Sequence, residues 1–408
     1  MIDLKAARND PDGYRAALAR KGAAHTFDEL LAADERWRAL VPRIDDLRGR
    51  TKLKGKPSPE ELAELQGVKE ELRAAEDELA AAEAAREELL AQVPNPPHDS
   101  VPDGVAEEDA VEVSRSGEPP QLEDAREHTE IGRFDMERAA RLSGSRFGYL
   151  IGDTALLAFA LYRAALDHLA RNGFTPVLPP VLVREEAMTG TGFFPTERSN
   201  IYALADDDLY LTGTSEVALA GLHMGEIVPA EELPLRYAGF STNFRREAGA
   251  AGKDTRGMFR VHQFNKVEMF VFTTPHESWP EHERMLALEE EFVQKLGLPY
   301  RVVNVAAGDL GAPAAKKLDI EAWFPSQERY REITSCSNTT DFQSRRLGIR
   351  ARGESGIEPL HTLNGTMVTD RALLAILENF QGEVPDALRE YGAPERVSAR
   401  SGRPSGGG

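Results

Sequence analysis

The chain has 408 residues, 41% of them hydrophobic and 29% charged, enough for two or three domains around a sizeable core. No apolar run approaches the ~20 residues of a membrane span, and the charged N-terminus MIDLKAARNDPDGYRAALARKG lacks a signal core, so a soluble cytoplasmic protein is expected. The single cysteine, Cys336, excludes an internal disulfide and a multi-cysteine zinc site, while a net charge of −19 argues on its face against a polyanionic partner.

Pro11 opens a short helical lead-in and Gly22 follows it. Two long helices come next. Leu30, Ala33, Trp37, Leu40, Ile44 and Leu47 step by three and four in the first, with Pro42 expected to kink it. Leu65, Val68, Leu72, Ala75, Leu79, Ala82 and Leu89 do so in the second, where Arg86 takes one slot. LKGKPSPEE between them makes a turn, and Ser58 is placed to cap the second helix. The pattern predicts an antiparallel coiled-coil hairpin; a bundle piece packed on a main domain is the alternative. Arg36, Arg38, Arg43, Arg48, Arg50, Lys52, Lys54 and Lys56 face only Asp45 and Asp46 over the same interval. Such a basic patch is either solvated surface or a nucleic-acid contact. VPNPPHDSVPDGV, residues 93–105, is a proline-rich linker.

From about Asp109 onward strands and helices mix. FGYLIGDTALLAFALYRAALDHLARNGFTPVLPPVLV reads as an apolar-faced helix capped by Gly173, then a strand ending at Pro179 and Pro180. YLTGTSEVAL, residues 210–219, offers Thr214, Ser215 and Glu216, which suit either a helix cap or a small zwitterion needing an acid for its ammonium. Residues 236–274 read as strand, glycine-bearing loop, strand. Alternation places Arg245 and Glu247 on one face of the first strand, and Arg260, His262, Phe264, Lys266 and Glu268 on one face of the second. Arginines for phosphate oxygens, a ring to stack on a base and carboxylates for amino groups suit a nucleotide; solvated ion pairs on a surface hairpin are the bland alternative. GAAGKDT does not match the GxxxxGK[ST] phosphate loop. His276 and His282, in HESWPEHE, read as a solvated helix start. YREITSCSNTTDFQSRR, residues 330–346, supplies Glu332 and Ser335. HTLNGTMVTDRALLAILENF, residues 361–380, reads as strand, turn and apolar helix with Arg371 at the helix start, where free amides favour anions.

FRREAG, a loop and RVHQFNKVE resemble motif 2 of class II aminoacyl-tRNA synthetases in the form found in the seryl-tRNA synthetase family, and the resemblance covers nearly the whole chain. It implies an α+β fold: a class II antiparallel sheet flanked by helices, with an N-terminal antiparallel coiled-coil hairpin. Expected boundaries are a helical arm over 1–100 (hairpin about 27–92), a linker and start of the core over 101–135, a catalytic domain over 136–395 and a disordered tail over 396–408. The helix and strand after Phe147 resemble motif 1, implying a homodimer. The hairpin is on the short side for the family, whose arm grips transfer RNA; the resemblance assigns that contact to Arg43, Arg48, Arg50, Lys52 and Lys54.

The same resemblance assigns L-serine to Thr214, Ser215, Glu216, Glu268 and Thr366. It assigns ATP to Arg245, Arg246, Glu247, Arg260, Val261, Phe264, Glu332, Ile333, Thr334, Ser335 and Arg371. Arg245 would hold the α-phosphate and the serine carboxylate, Glu247 the adenine amino group, and Phe264 the adenine face. Arg371 would meet the γ-phosphate, Glu332 and Ser335 would coordinate Mg2+, and no zinc is expected. Lys266 is expected as an ordinary exposed partner. The motif 3 segment is one residue shorter than usual between Thr366 and Arg371 and carries Asp370 before the arginine, which reads as a variant turn. The implied activity is serine–tRNA ligation on tRNA(Ser), with tRNA(Sec) as a further acceptor. The alternatives are a paralogue serving antibiotic self-resistance or natural-product assembly, an aminoacyl carrier-protein ligase, or a tRNA-binding regulator with a dead site. Carrier-protein ligases lack the arm and use a cysteine-bearing zinc site, unlike this chain.

Overall fold

The computed structural model describes residues 1–52, 58–249, 252, 254, 257–354 and 356–399. Lys54 and Lys56 of the basic patch and most of the expected tail lie outside the described residues. The chain divides into two compact units, Met1–Pro96 and Pro97–Gly408. No helix among the described residues is long and apolar enough to cross a membrane.

The first unit is helical: α1 (Leu4–Asn9), α2 (Pro11–Ala19), α3 (Ala24–Arg50) and α4 (Pro59–Gln92). The stepped apolar residues of α3 and α4 meet as expected, with Ile44, Leu47, Val68 and Ala75 buried together and Leu72 and Leu79 packed against them. Helix α3 runs as one element through Pro42. Ser58 caps α4 in a reciprocal box with Glu61, and Pro59 occupies the first turn, where its missing N–H costs nothing. Phe27, Leu30 and Val93 form a second cluster with Ile2, Ala7 and Leu18 of the lead-in. Arg86, which interrupts the apolar stripe of α4, stacks its guanidinium 3.9 Å from the Trp37 ring centroid.

The second unit is built on an eight-stranded sheet: β1 (Val111–Ser116), β2 (Thr175–Val177), β3 (Leu235–Phe244), β4 (Gln263–Thr273), β5 (Tyr300–Asn304), β6 (Lys316–Phe324), β7 (Arg329–Asn338) and β8 (His361–Thr369). Its order is β1-β5-β6-β7-β8-β4-β3-β2, antiparallel throughout except β2 against β3. The architecture is therefore α+β with an antiparallel-dominated sheet. Its helices include α5 (His128–Ile131), α6 (Asp153–Arg171), α7 (Glu216–Ala220), α8 (Ser278–Lys295), α9 (Phe342–Leu347) and α10 (Asp370–Asn379); others span Met136–Ser143, Glu185–Thr191 and Asp386–Arg389.

Strand β4 shows how the sequence sets the two faces. Val267, Met269 and Val271 enter the main core with Leu157, Leu161 and Leu169 of α6 and Met285 and Phe292 of α8. On the alternate face Phe270 and Phe272 join a second apolar cluster, while Phe264, Lys266 and Glu268 line a cleft. The cleft begins where that face stops being apolar.

Three local expectations need correction. Arg245 lies one residue beyond β3, and β4 begins at Gln263, so Arg260 and His262 precede the strand and escape its alternation. His262 instead pins the loop neck: its ring N–H donates to the Arg245 carbonyl and its own carbonyl accepts the Arg245 amide, both at 2.9 Å. The start of α8 is not uniformly solvated, because His282 is buried and pushed down to about 4 by that burial, although His276 is exposed. Finally, β8 runs directly into α10 with no intervening turn: Thr369 is the N-cap and its hydroxyl accepts the Arg371 amide at 3.2 Å.

Candidate active site

The cleft holds about 550 Å³ and is walled by β4, β6, β7 and β8, the loops beside them and the segment before α7. One group of side chains is suited to a small cation. Glu216, at the start of α7, is buried and accepts hydrogen bonds from Gln343 (2.7 Å) and Asn364 (3.0 Å). Burial pushes its carboxyl up while the Gln343 bond and Lys266 draw it down. Glu268 lies opposite Thr366 in the ladder and is paired with Lys266. Burial pushes the Glu268 carboxyl up to about 7 against the pull of Lys266. Lys266 Nζ also donates to the Thr214 hydroxyl at 2.6 Å. The expectation of an exposed Lys266 is thus wrong; it is 5% exposed and ties the two acid-bearing segments together. An ammonium on the acids and a hydroxyl among Thr214 and Thr366 would find complementary partners here.

A second group is suited to a polyanion. Arg245 Nε donates to the Gly213 carbonyl at 3.0 Å, with its guanidinium 5.2 Å from the centroid of the Phe264 ring. Arg371 Nη1 donates to the Glu332 carboxylate at 2.9 Å and to its carbonyl at 3.1 Å. Lys317 pairs with Asp319 at 2.9 Å and stands 3.9 Å from Glu332. Burial raises the Glu332 carboxyl, but Lys317 and Arg371 outweigh it and hold the group at about 2. Glu332 is therefore ionised throughout the neutral range. Arg260 pairs with Glu247 on the cleft wall.

Most of the expected site residues thus come together: Thr214, Glu216, Arg245, Glu247, Arg260, Val261, Phe264, Glu268, Glu332, Ile333, Thr334, Ser335, Thr366 and Arg371 all border the cleft. Thr334 turns its hydroxyl away, donating to the buried Glu289 of α8 at 3.1 Å. Ser215 and Arg246 are not among the lining residues: Ser215 is buried at the N-cap of α7, and Arg246 is exposed with its amide bonded to the Asn200 carbonyl. Lys317, Phe259 and Asn364 line the cleft, and Gln343 supports Glu216 without lining it; spacing singled out none of the four. Phe259 fell between alternating positions; Gln343 and Asn364 both donate to Glu216, far off in sequence, and Lys317 pairs with Asp319 two residues on but faces Glu332 from the neighbouring strand.

Residues 1–97 match the seryl-tRNA synthetase N-terminal domain, and residues 201–380 match the class II tRNA synthetase core domain (G, H, P, S and T). The serine–tRNA ligase of Acidothermus cellulolyticus is 51% identical over 96% of this chain and 98% of its own length; that of Streptomyces coelicolor is 48% identical over 96% and 97%. The chain belongs to the seryl-tRNA synthetase family. Among solved structures, seryl-tRNA synthetase from Pyrococcus horikoshii complexed with ATP has a TM-score of 0.91 at 39% identity, covering 98% of this chain and 99% of that one. The Naegleria fowleri enzyme in complex with AMP has a TM-score of 0.86 at 34% identity, covering 95% and 96%. A seryl-tRNA synthetase N-terminal domain together with this core does not favour a carrier-protein ligase or a specialised paralogue.

Proposed function

We propose that the protein is a serine–tRNA ligase that binds serine on the Glu216, Glu268, Thr214 and Thr366 group and ATP on the Arg245, Arg371 and Phe264 group. The observation that carries the reading is that two buried acids, one of them paired with a lysine, and a cluster of arginines share one cleft. A serine carboxylate oxygen attacks the α-phosphorus, the bond to the bridging oxygen breaks, and pyrophosphate leaves with the electron pair. The seryl-adenylate then gives its acyl group to the terminal ribose hydroxyl of tRNA, releasing AMP. Little side-chain acid–base work is needed; positioning and neutralisation of charge by Arg245 and Arg371 lower the barrier.

The ionised Glu332 and the Ser335 hydroxyl are hard oxygen donors that fit Mg2+ held largely by nucleotide phosphates. Bound there, the ion supplies neutralisation of the polyphosphate charge. Arg43, Arg48, Arg50 and Lys52 are all exposed on the hairpin, which supports a tRNA(Ser) contact through the arm. Leu156 and Phe159 of α6 and Leu178 after β2 are large exposed apolar residues, which supports a homodimer through this region. A cytoplasmic location and charging of tRNA(Sec) belong to the same reading.

Serine-dependent ATP–pyrophosphate exchange by the purified protein, without RNA, tests it against threonine, alanine and glycine. Exchange with serine above the others is expected. No exchange with any of them would overturn the assignment of the cleft.

A further inference from the structure

Phe259 stands at the exit of the long loop between β3 and β4 and carries Arg371. The Arg371 guanidinium lies 4.6 Å from its ring centroid and the Arg331 guanidinium 3.7 Å from it. What holds this ring lies outside the cleft. The amide of Met258, one residue earlier, donates to His128 Nε2 at 3.1 Å. A backbone N–H can only donate, so Nε2 carries the lone pair and the imidazole proton sits on Nδ1. Nδ1 is 2.7 Å from Glu378 Oε1, to which it donates. The other carboxylate oxygen accepts from Ser326, hydroxyl at 2.6 Å and amide at 3.3 Å. His128 and Glu378 are 1% and 0% exposed, and neither borders the cleft.

The backbone is closed tightly on the imidazole. Gly257 has φ +69, and a Cβ there would lie 2.7 Å from His128 Nε2 and 3.0 Å from Glu127 Oε1. Only a glycine permits both that conformation and that approach.

We propose that His128, locked in one tautomer by Glu378, is a positioning residue for ATP: it fixes the loop exit so that Phe259 presents Arg371 to the polyphosphate. Neither residue touches substrate. Their effect passes through the Met258 amide, so it falls on the ATP group of the cleft and leaves the Glu216 and Glu268 group alone. This rests on the ATP-dependent serine activation proposed above.

The test separates the two nitrogens. In His128→Gln the amide oxygen reaches the place of Nε2 and still accepts from Met258. In His128→Asn the amide nitrogen takes the place of Nδ1, keeps the bond to Glu378, and leaves the Met258 amide unmet. Serine-dependent exchange by the full-length protein should show the ATP KM of His128→Asn raised about tenfold with serine KM unchanged, and His128→Gln within about twofold of wild type. Gly257→Ala, which displaces the same amide without altering the imidazole, should raise the ATP KM selectively as well. That variant decides the matter if either His128 substitution fails to fold. Equal ATP KM in the two His128 variants, an equal change in serine KM, or an unchanged ATP KM in Gly257→Ala would overturn the proposal. Failure of the wild type to catalyse exchange would count against the functional reading instead. Calorimetric ATP affinity without serine would then carry the comparison, and equal affinities across wild type and variants would overturn the proposal there too.

Discussion

Lys266→Met separates what a buried lysine does for the fold from what it does for the substrate. Lys266 and Glu268 are 5% and 1% exposed, and breaking a buried ion pair by removing one partner ordinarily costs 3–5 kcal/mol, or about that range. Here the cost is smaller. The Glu268 carboxyl already sits at about 7, so at pH 7.5 it escapes an uncompensated charge by taking up a proton, for about 1 kcal/mol. Losing the donor to the Thr214 hydroxyl adds about 1 kcal/mol, giving ~2 kcal/mol in urea unfolding. The substrate effect is larger in consequence. A neutral Glu268 offers the serine ammonium an ordinary hydrogen bond in place of a charge-assisted one, a loss of about 2 kcal/mol or ~30-fold in serine KM. Pyrophosphate exchange at varied serine and fixed ATP reads this, with ATP KM unchanged. A stability loss above ~4 kcal/mol with serine KM intact would refute the reasoning, since Glu268 would then have stayed ionised and the pair would serve the fold alone.

Arg245→Ala should lower serine-dependent exchange by ~100-fold or more, with little change in urea midpoint because the residue is exposed on the cleft wall. Arg48→Ala loses an exposed pair with Glu76 at 2.9 Å, worth under ~1 kcal/mol, so stability and pyrophosphate exchange should hold while the tRNA KM in aminoacylation rises severalfold. Asp370 is pushed by burial from 3.8 up to about 6, with Tyr162 and the Asn265 amide drawing it down. The folded chain therefore holds this proton more tightly than the unfolded chain, and the stability it contributes is full below pH ~4 and lost as pH rises through about 6. Asp370→Asn removes that slope. Relative to wild type, the variant's urea midpoint should improve between pH 4 and 7, by up to about 3 kcal/mol, and an unchanged gap would refute the assignment.

Elements whose causes are local were legible. The coiled-coil stripe needs only the three-and-four spacing of Leu30, Ala33, Leu40, Ile44 and Leu47, all of which are buried, and the Ser58 cap needs only Glu61 three residues on. The candidate site was legible where a motif keeps chemistry within a few residues, as for Arg245 with Glu247 or Glu332 with Ser335. Lys266 was not. Lysine is almost never buried without a partner, and the partner that completes its burial, Thr214, stands 52 residues earlier in the chain. His282 failed for the same reason, since its ring turns inward to the Cys336 carbonyl and the neighbouring Glu281 is buried on Arg236, both partners distant in sequence.

Asp370 shows why a departure from a family spelling need not be a loss. Read along the chain, an acid one residue before an arginine proposed to bind phosphate looks repulsive to the nucleotide. In the fold its carboxylate accepts from the Tyr162 hydroxyl of α6 and from the Asn265 amide of β4 at 3.0 Å. Asn265 is next to Phe264 and Lys266, and Asp370 is next to Arg371. The acid therefore ties the strand that carries Phe264 and Lys266 to the helix that carries Arg371. The contact forms because β8 passes into α10 without a turn and brings the first residue of the helix against β4. The carboxylate is held by two donors and turned to them, although burial still raises it to about 6.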